Sequence, residues 1–189
     1  MKHAIRIISL ILVAVGLGYA YEVISIGLQK NAHPLKYTEI VEKYAEEYSV
    51  PKEIIYAVIN AESSFDSGAV SSAGAVGLMQ LMPNTYKDIQ RLLGEQLEDG
   101  LIYDPETNIR YGTYFLRYLY SNLNDWPLTY AAYNAGLSRV KNEWMQNPEY
   151  IENGVIKKIP FTETKNYIDR VTKGSVAYKK LYFTEPGTK

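Results

Sequence analysis

Glu62-Ser63-Ser64-Phe65-Asp66, followed by Ser71-Ser72-Ala73-Gly74-Ala75-Val76-Gly77-Leu78-Met79-Gln80-Leu81-Met82-Pro83, is the stretch on which the reading of this chain turns. Just upstream, Pro51 stands at a natural first-turn position, and Ile54, Ile55, Val58 and Ile59 recur at helical spacing. Glu62 lies seven residues after Ile55, four after Val58 and three after Ile59, so its carboxyl falls on the apolar face of that helix. An acid there faces the interior or the lip of a cleft. Burial disfavours the carboxylate and raises its pKa, which suits a general acid near neutral pH. Helix position alone also admits a plain glutamate pointing to water at a helix C-terminus, where the dipole favours no negative charge. Gly68, Gly74 and Gly77 supply places where the backbone can turn sharply or approach closely. They suit the floor of a substrate site, and they equally suit a turn-rich connector.

Moving outward, helical periodicity covers nearly everything. Ile40, Val41, Tyr44, Ala45 and Tyr48 predict a helix from Thr38. Pro83 opens another through Leu93, closed by Gly94. Asp104-Pro105 starts the next, carried by Ile109, Tyr111, Phe115, Leu116 and Leu119. Asp125-Trp126-Pro127 begins a helix that ends near Gly136, and a short one covers Leu137 to Met145. Residues 147–159 read as irregular, with a hairpin signal at Asn153-Gly154. The last helix runs from Thr162 or Glu163 to about Tyr182. Strand-like alternation is scarce, and neither an internal repeat nor a low-complexity tract is found, so the fold class is mainly α.

The N-terminus differs in kind. Lys2 and Arg6 precede an apolar run from Ile7 that Glu22 interrupts and Leu28 ends. A basic flank before an apolar segment is the pattern of an export signal, and the flanking charge keeps that end in the cytoplasm. Two outcomes stay open. Gly18-Tyr19-Ala20 is an acceptable cleavage site, and residues 7–28 are also long enough to remain as a membrane-spanning helix. The division is therefore residues 1–30 as signal peptide or signal-anchor, 31–36 as a tether and 37–189 as one globular domain, lying outside the cytoplasm and anchored through residues 7–28.

Composition removes several chemistries. The chain has 189 residues, a net charge of −1, two histidines and no cysteine. A thiol nucleophile, a zinc–thiolate site and a disulfide framework are excluded, little is left for a metal site, and nothing basic enough marks a nucleic-acid partner. Tyrosine is abundant, at 18 residues against 4 phenylalanines. Flat rings with a polar tip suit a sugar groove, and they suit half-buried helix faces equally well.

The segment from Glu62 to Pro83, with its Glu-Ser opening and Gly77-Leu78-Met79-Gln80 block, resembles the signature of the soluble lytic transglycosylase family. Ala132-Tyr133-Asn134-Ala135-Gly136 resembles its second block, and Glu163-Thr164-Lys165-Asn166-Tyr167-Ile168 its last. The three blocks stand in family order, and the resemblance covers about residues 38–182. Ser67, Ser138 and Lys165 replace the commoner Pro, Gly and Arg, which removes no group the chemistry needs.

The resemblance implies a lysozyme-like multi-helix domain with a cleft for the alternating N-acetylglucosamine and N-acetylmuramic acid of peptidoglycan strands, and no cofactor or metal. It implies Glu62 as the catalytic residue and Ser71 as the hydroxyl beside it. Gln80 and Met82 line the groove, Tyr133 and Asn134 face the acid and the sugar, and Tyr167 lies close to the carboxyl, with Glu163 a groove carboxylate. Most glycosidases use two carboxylates. Asp66, four residues after Glu62, reads as turn chemistry, so a single acid that later acts as base fits best, giving 1,6-anhydromuramic acid ends. Two other expectations compete: a hydrolytic muramidase of goose-type character, with Asp66 holding the water, and a wall-binding module without catalysis.

Overall fold

The computed structural model describes residues 2–184. The order is helical almost throughout: α1 (Lys2–Ala32), α2 (Thr38–Tyr48), α3 (Lys52–Ser63), α4 (Pro83–Leu93), α5 (Pro105–Leu123), α6 (Trp126–Ala135), α7 (Leu137–Arg139) and α8 (Thr162–Tyr178). A short 3-10 turn covers Asp99–Tyr103, and π-helical turns extend α7 over Val140–Trp144 and α8 over Lys179–Phe183. Strands β1 (Ile151–Glu152) and β2 (Val155–Ile156) form the two-residue hairpin signalled by Asn153-Gly154, both at positive φ as a tight primed turn requires.

Local chemistry sets the helix ends. Asp104 and Asp125 each cap a helix whose first position or second is proline, accepting from Thr107 N (2.8 Å) and Leu128 N (2.8 Å). Gly94 closes α4 at φ 69. Pro51 stands just outside α3 as its N-cap.

The core is built around α3. Ile54 through Ile59 are all buried, so this helix is apolar on every side and runs through the centre. It packs chiefly on α8, where Gly174 allows the approach: a Cβ there would lie 3.3 Å from that of Ala57. α2 packs on α5, and α6 fills the space between α5 and α8. A second, smaller apolar cluster gathers Val76, Leu81, Tyr86, Ile89, Ile102 and Tyr111 beneath α4, with Phe115 touching both clusters. The segment joining α3 to α4 links them, contributing Leu78 and Met79 to the first and Val76 and Leu81 to the second. Many tyrosines belong to this packing, with tips that reach acceptors: Tyr44 donates to Glu106 (2.9 Å) and Tyr86 to the Glu98 carbonyl (3.1 Å).

α1 is long and apolar enough to cross a membrane over Ser9–Ala32, with mean hydropathy 1.8 in its most apolar window. It runs past the expected apolar segment and takes in Asn31 and Ala32, so the expected tether of residues 31–36 begins helical. The rest of that tether is held as well. Asn60 Nδ2 donates to the Ala32 carbonyl (3.0 Å), Tyr182 to His33 O (2.9 Å) and Tyr178 to Pro34 O (3.1 Å), while the His33 ring stands edge-on to Tyr178. Carbonyls freed at the end of α1 are thus met by the domain itself.

Candidate active site

Glu62 occupies the last turn of α3, and the chain turns away at once through Ser64 and Phe65, both in left-handed geometry. Its carboxyl is partly buried. Burial pushes its pKa up to about 7, against a smaller pull downward from the neighbouring Tyr167 hydroxyl and the Arg170 charge; the charge of Glu163 pushes the same way as burial. Among the described residues no cation pairs with it at contact distance. A carboxyl in this condition holds its proton near neutrality, as a general acid must.

Two tyrosines bracket it, and they differ. Tyr133, on α6, donates to the Met79 carbonyl (2.7 Å) and packs against Phe115. Tyr167, on α8, is buried and close enough to Glu62 to favour its carboxylate. Its hydroxyl nevertheless reaches no acceptor in hydrogen-bonding geometry and remains a buried donor without a partner. Both phenols are pushed far above their ordinary pKa, by burial first and then by the Glu62 charge, so both stay neutral. A buried hydroxyl with no acceptor is costly in an ordinary core and points to a group that the free site leaves unmatched.

The structure brings Glu62, Tyr133, Tyr167 and Glu163 together. Asn134 is tied to the last block, accepting from the buried Thr164 hydroxyl (2.7 Å), which fixes α6 against the start of α8. The other expected residues belong to the loop. Gln80, at φ 48, donates through its side-chain amide to Gly77 O (2.9 Å) and Ala69 O (3.1 Å). Ser71 accepts from Ala75 N (3.0 Å), a bond inside its own turn. Met82 caps α4 and is 40% exposed, available to a ligand. Asp66 caps its own turn, accepting from Gly68 N (2.9 Å).

Two supporting residues, Arg170 and Asn108, escaped the sequence reading, and a third, Ser63, stood in the quoted motif without a role. Ser63 donates to Leu78 O (2.8 Å), tying the end of α3 to the loop. Arg170 lies across the Tyr167 ring (5.8 Å) and carries a charge felt by Glu62. Asn108, wholly buried on α5, accepts from Met79 N (2.8 Å) and donates to Ile102 O (2.8 Å) and Val76 O (3.0 Å). The nearest sequence signal for Asn108 is Gly77, where a Cβ would lie 2.5 Å from the Asn108 amide.

A mainly helical domain with a partly buried carboxyl of raised pKa, set between two phenols and a glycine-bearing loop, is a site suited to proton transfer. The chain belongs to the transglycosylase SLT domain family, whose model matches residues 39–155. It is similar to the soluble lytic murein transglycosylase of Escherichia coli strain K12, 32% identical over 158 residues, covering 81% of this chain and 24% of that protein. It is also similar to the membrane-bound lytic murein transglycosylase C of Serratia proteamaculans, 31% identical over 176 residues, 81% of this chain and 49% of that one. Among solved structures, the 70-kDa soluble lytic transglycosylase of Escherichia coli superposes with a TM-score of 0.76 at 30% identity over 84% of this chain and 26% of that one. The chain thus spans about a quarter of the soluble relatives and about half of the membrane-bound ones.

Proposed function

We propose that this chain is a peptidoglycan lytic transglycosylase that cleaves the β-1,4 bond between N-acetylmuramic acid and N-acetylglucosamine, with Glu62 as acid and then base. The observation that carries this reading is the partly buried Glu62 carboxyl, its pKa raised to about 7 with no cation paired to it among the described residues. Its relatives' printed names, lytic murein transglycosylases, supply the substrate class.

The reaction follows from one carboxyl. Protonated Glu62 donates to the glycosidic oxygen as the bond to C1 of the muramic acid breaks. The substrate's own N-acetyl group stabilises the positive charge at C1. Glu62, now a carboxylate, takes the proton from the C6 hydroxyl of the same sugar, and that oxygen closes on C1. One proton leaves Glu62 and one returns, no water is consumed, and no cofactor is needed. Tyr167 is the buried donor available to steady the carboxylate in between, and Arg170 lends the same state its charge. Tyr133 and Asn134, with Gln80, Met82, Ser71 and Glu163, shape the surface on which the strand lies. A hydrolytic course would need a second group to hold water, and Asp66 Oδ1 serves its own turn by accepting from Gly68 N.

α1 anchors the domain in the cell envelope, with residues 37–184 on the outer side of the cytoplasmic membrane. Its length and hydropathy, the Lys2 and Arg6 flank, and a membrane-bound relative support this placement.

The test is digestion of purified peptidoglycan with product masses read out. Muropeptides ending one water lighter than reducing ends are expected from the wild type, and none from Glu62→Gln. Reducing ends alone would replace this reading with hydrolysis, and activity retained in Glu62→Gln would remove Glu62 from it.

A further inference from the structure

The phenols flanking Glu62 are chemically alike, yet only one has a proton to spare. A phenol carries a single donor hydrogen. That of Tyr133 is committed to the Met79 carbonyl at 2.7 Å, whereas that of Tyr167 has no acceptor. The direction of the Met79 carbonyl therefore decides whether Tyr133 can donate to Glu62.

That carbonyl belongs to the peptide joining Met79 to Gln80, and Gln80 sits at φ 48, in the left-handed region that a side chain disfavours. A change in this φ would rotate the Met79 carbonyl. Two restraints oppose it. From the Gln80 side, the amide holds Gly77 O and Ala69 O. From the Met79 side, the preceding peptide is held through the Met79 N–H by Asn108 Oδ1 at 2.8 Å, and Asn108 is itself pinned by donating to Val76 O and Ile102 O. The surroundings leave no slack, since a Cβ on Gly77 would meet the Asn108 amide and one on Gly112 would meet the Met79 side chain.

We propose that Asn108 is a positioning residue for the acid: by holding the Met79 N–H and the Val76 carbonyl it braces the loop residue that bears the Met79 carbonyl, keeps the Tyr133 proton on that carbonyl and, of the two flanking phenols, leaves Tyr167 to donate to Glu62. This rests on the reading of Glu62 as the general acid. The groups facing Glu62 are Tyr133 from α6, and Glu163, Tyr167 and Arg170 from α8. Tyr167 and Arg170 favour the carboxylate; a second donating phenol would add to them and strip the acid of its proton at working pH. Asn108 bonds only backbone of the loop and of Ile102, so it acts on Glu62 through that loop, and the route proposed is the Met79 carbonyl and Tyr133.

The experiment is the pH profile of kcat/KM for cleavage of purified peptidoglycan by the full chain, whose alkaline limb reports the protonated acid. Asn108→Ala frees the Met79 N–H and the loop it braces, and the variant's alkaline limb is expected to fall by about one pH unit as Tyr133 turns to Glu62. In Asn108→Ala/Tyr133→Phe the limb is expected to return to the wild-type position, because the diverted proton is gone. Loss of thermal stability with an unmoved limb in Asn108→Ala would make Asn108 merely structural, and a shift that persists in the double variant would overturn the route through Tyr133. Should Asn108→Ala not fold, Tyr133→Phe alone decides. An unmoved limb is expected when its proton already sits on Met79 O, and a limb raised by a unit or more would show Tyr133 donating to Glu62. If Glu62→Gln keeps its activity, the failure lies in the assignment of the acid; a carbon-13 titration of the Glu62 carboxyl in these variants still reads the same shifts without turnover.

Discussion

Glu62 and Glu95 are both partly buried carboxyls among tyrosine hydroxyls, and they move in opposite directions from the ordinary glutamate value. Burial pushes both up. At Glu95 that push is outweighed: Arg110 donates to it through two nitrogens (2.5 and 3.1 Å), Tyr111 adds a third bond (2.8 Å), and the net shift is downward. At Glu62 the cation, Arg170, acts only at a distance, and the pull of the neighbouring Tyr167 hydroxyl is smaller than the push of burial, so the pKa reaches about 7. The presence of a bonded cation separates a carboxylate that braces the fold from a carboxylic acid that can give up a proton.

The largest way to break this contrast is Glu62→Gln. Removing a general acid should lower cleavage by on the order of a thousandfold, measured by release of soluble muropeptides. Reversing the other side comes next. Arg110→Met leaves Glu95 buried with its cation gone and should destabilise the domain by about 2 kcal/mol in denaturant melts near neutral pH. The pH dependence follows from the sign of the shift. With its pKa lowered in the fold, Glu95 contributes stability present above the unfolded value of about 4.5 and lost as pH falls through the folded value below it. That acid-side loss should shrink in Arg110→Met.

Glu62 has the opposite linkage. Its pKa is raised in the fold, so stability is fullest below about 4.5, declines as pH rises through about 7 and is level above. Glu62→Gln should therefore be more stable than the wild type by about 2 kcal/mol at pH 8, with the gain absent at pH 4, which paired thermal melts would show. The smallest effects compare the phenols. Tyr111→Phe removes a formed bond to a charge and should cost about 1 kcal/mol. Tyr167→Phe removes a hydroxyl that bonds nothing, so stability should hardly change, while the alkaline limb of activity moves upward by about half a pH unit because a group favouring the carboxylate is gone.

Where the sequence could be read, the reason was a short-range rule. Asp104-Pro105, Asp125-Trp126-Pro127, Gly94 and Asn153-Gly154 each mark a boundary by backbone chemistry that acts within four residues, and each boundary lies there. Glu62 was placed on an apolar face by three isoleucine and valine spacings, and the family blocks made it the acid. What could not be read depends on partners far away in the chain. Asn108 looks like any polar residue on a helix, and its three bonds lie 6, 29 and 32 residues away. The pairing of Arg110 with Glu95 depends on how α5 meets the turn after α4, and the bond from Asn60 to Ala32 on how α1 docks. Likewise, composition could not divide tyrosines between core and site: Tyr178 and Tyr167 are both buried, and only packing shows that one hydroxyl is satisfied and the other is not.

The most direct measurement is a carbon-13 titration of the Glu62 carboxyl in the folded chain, assigned by comparison with Glu62→Gln. A midpoint near 7, well above that of Glu95, is the expected result. A midpoint at or below the ordinary value of about 4.5 would mean that Glu62 is already ionised at working pH, and would contradict its role as the acid.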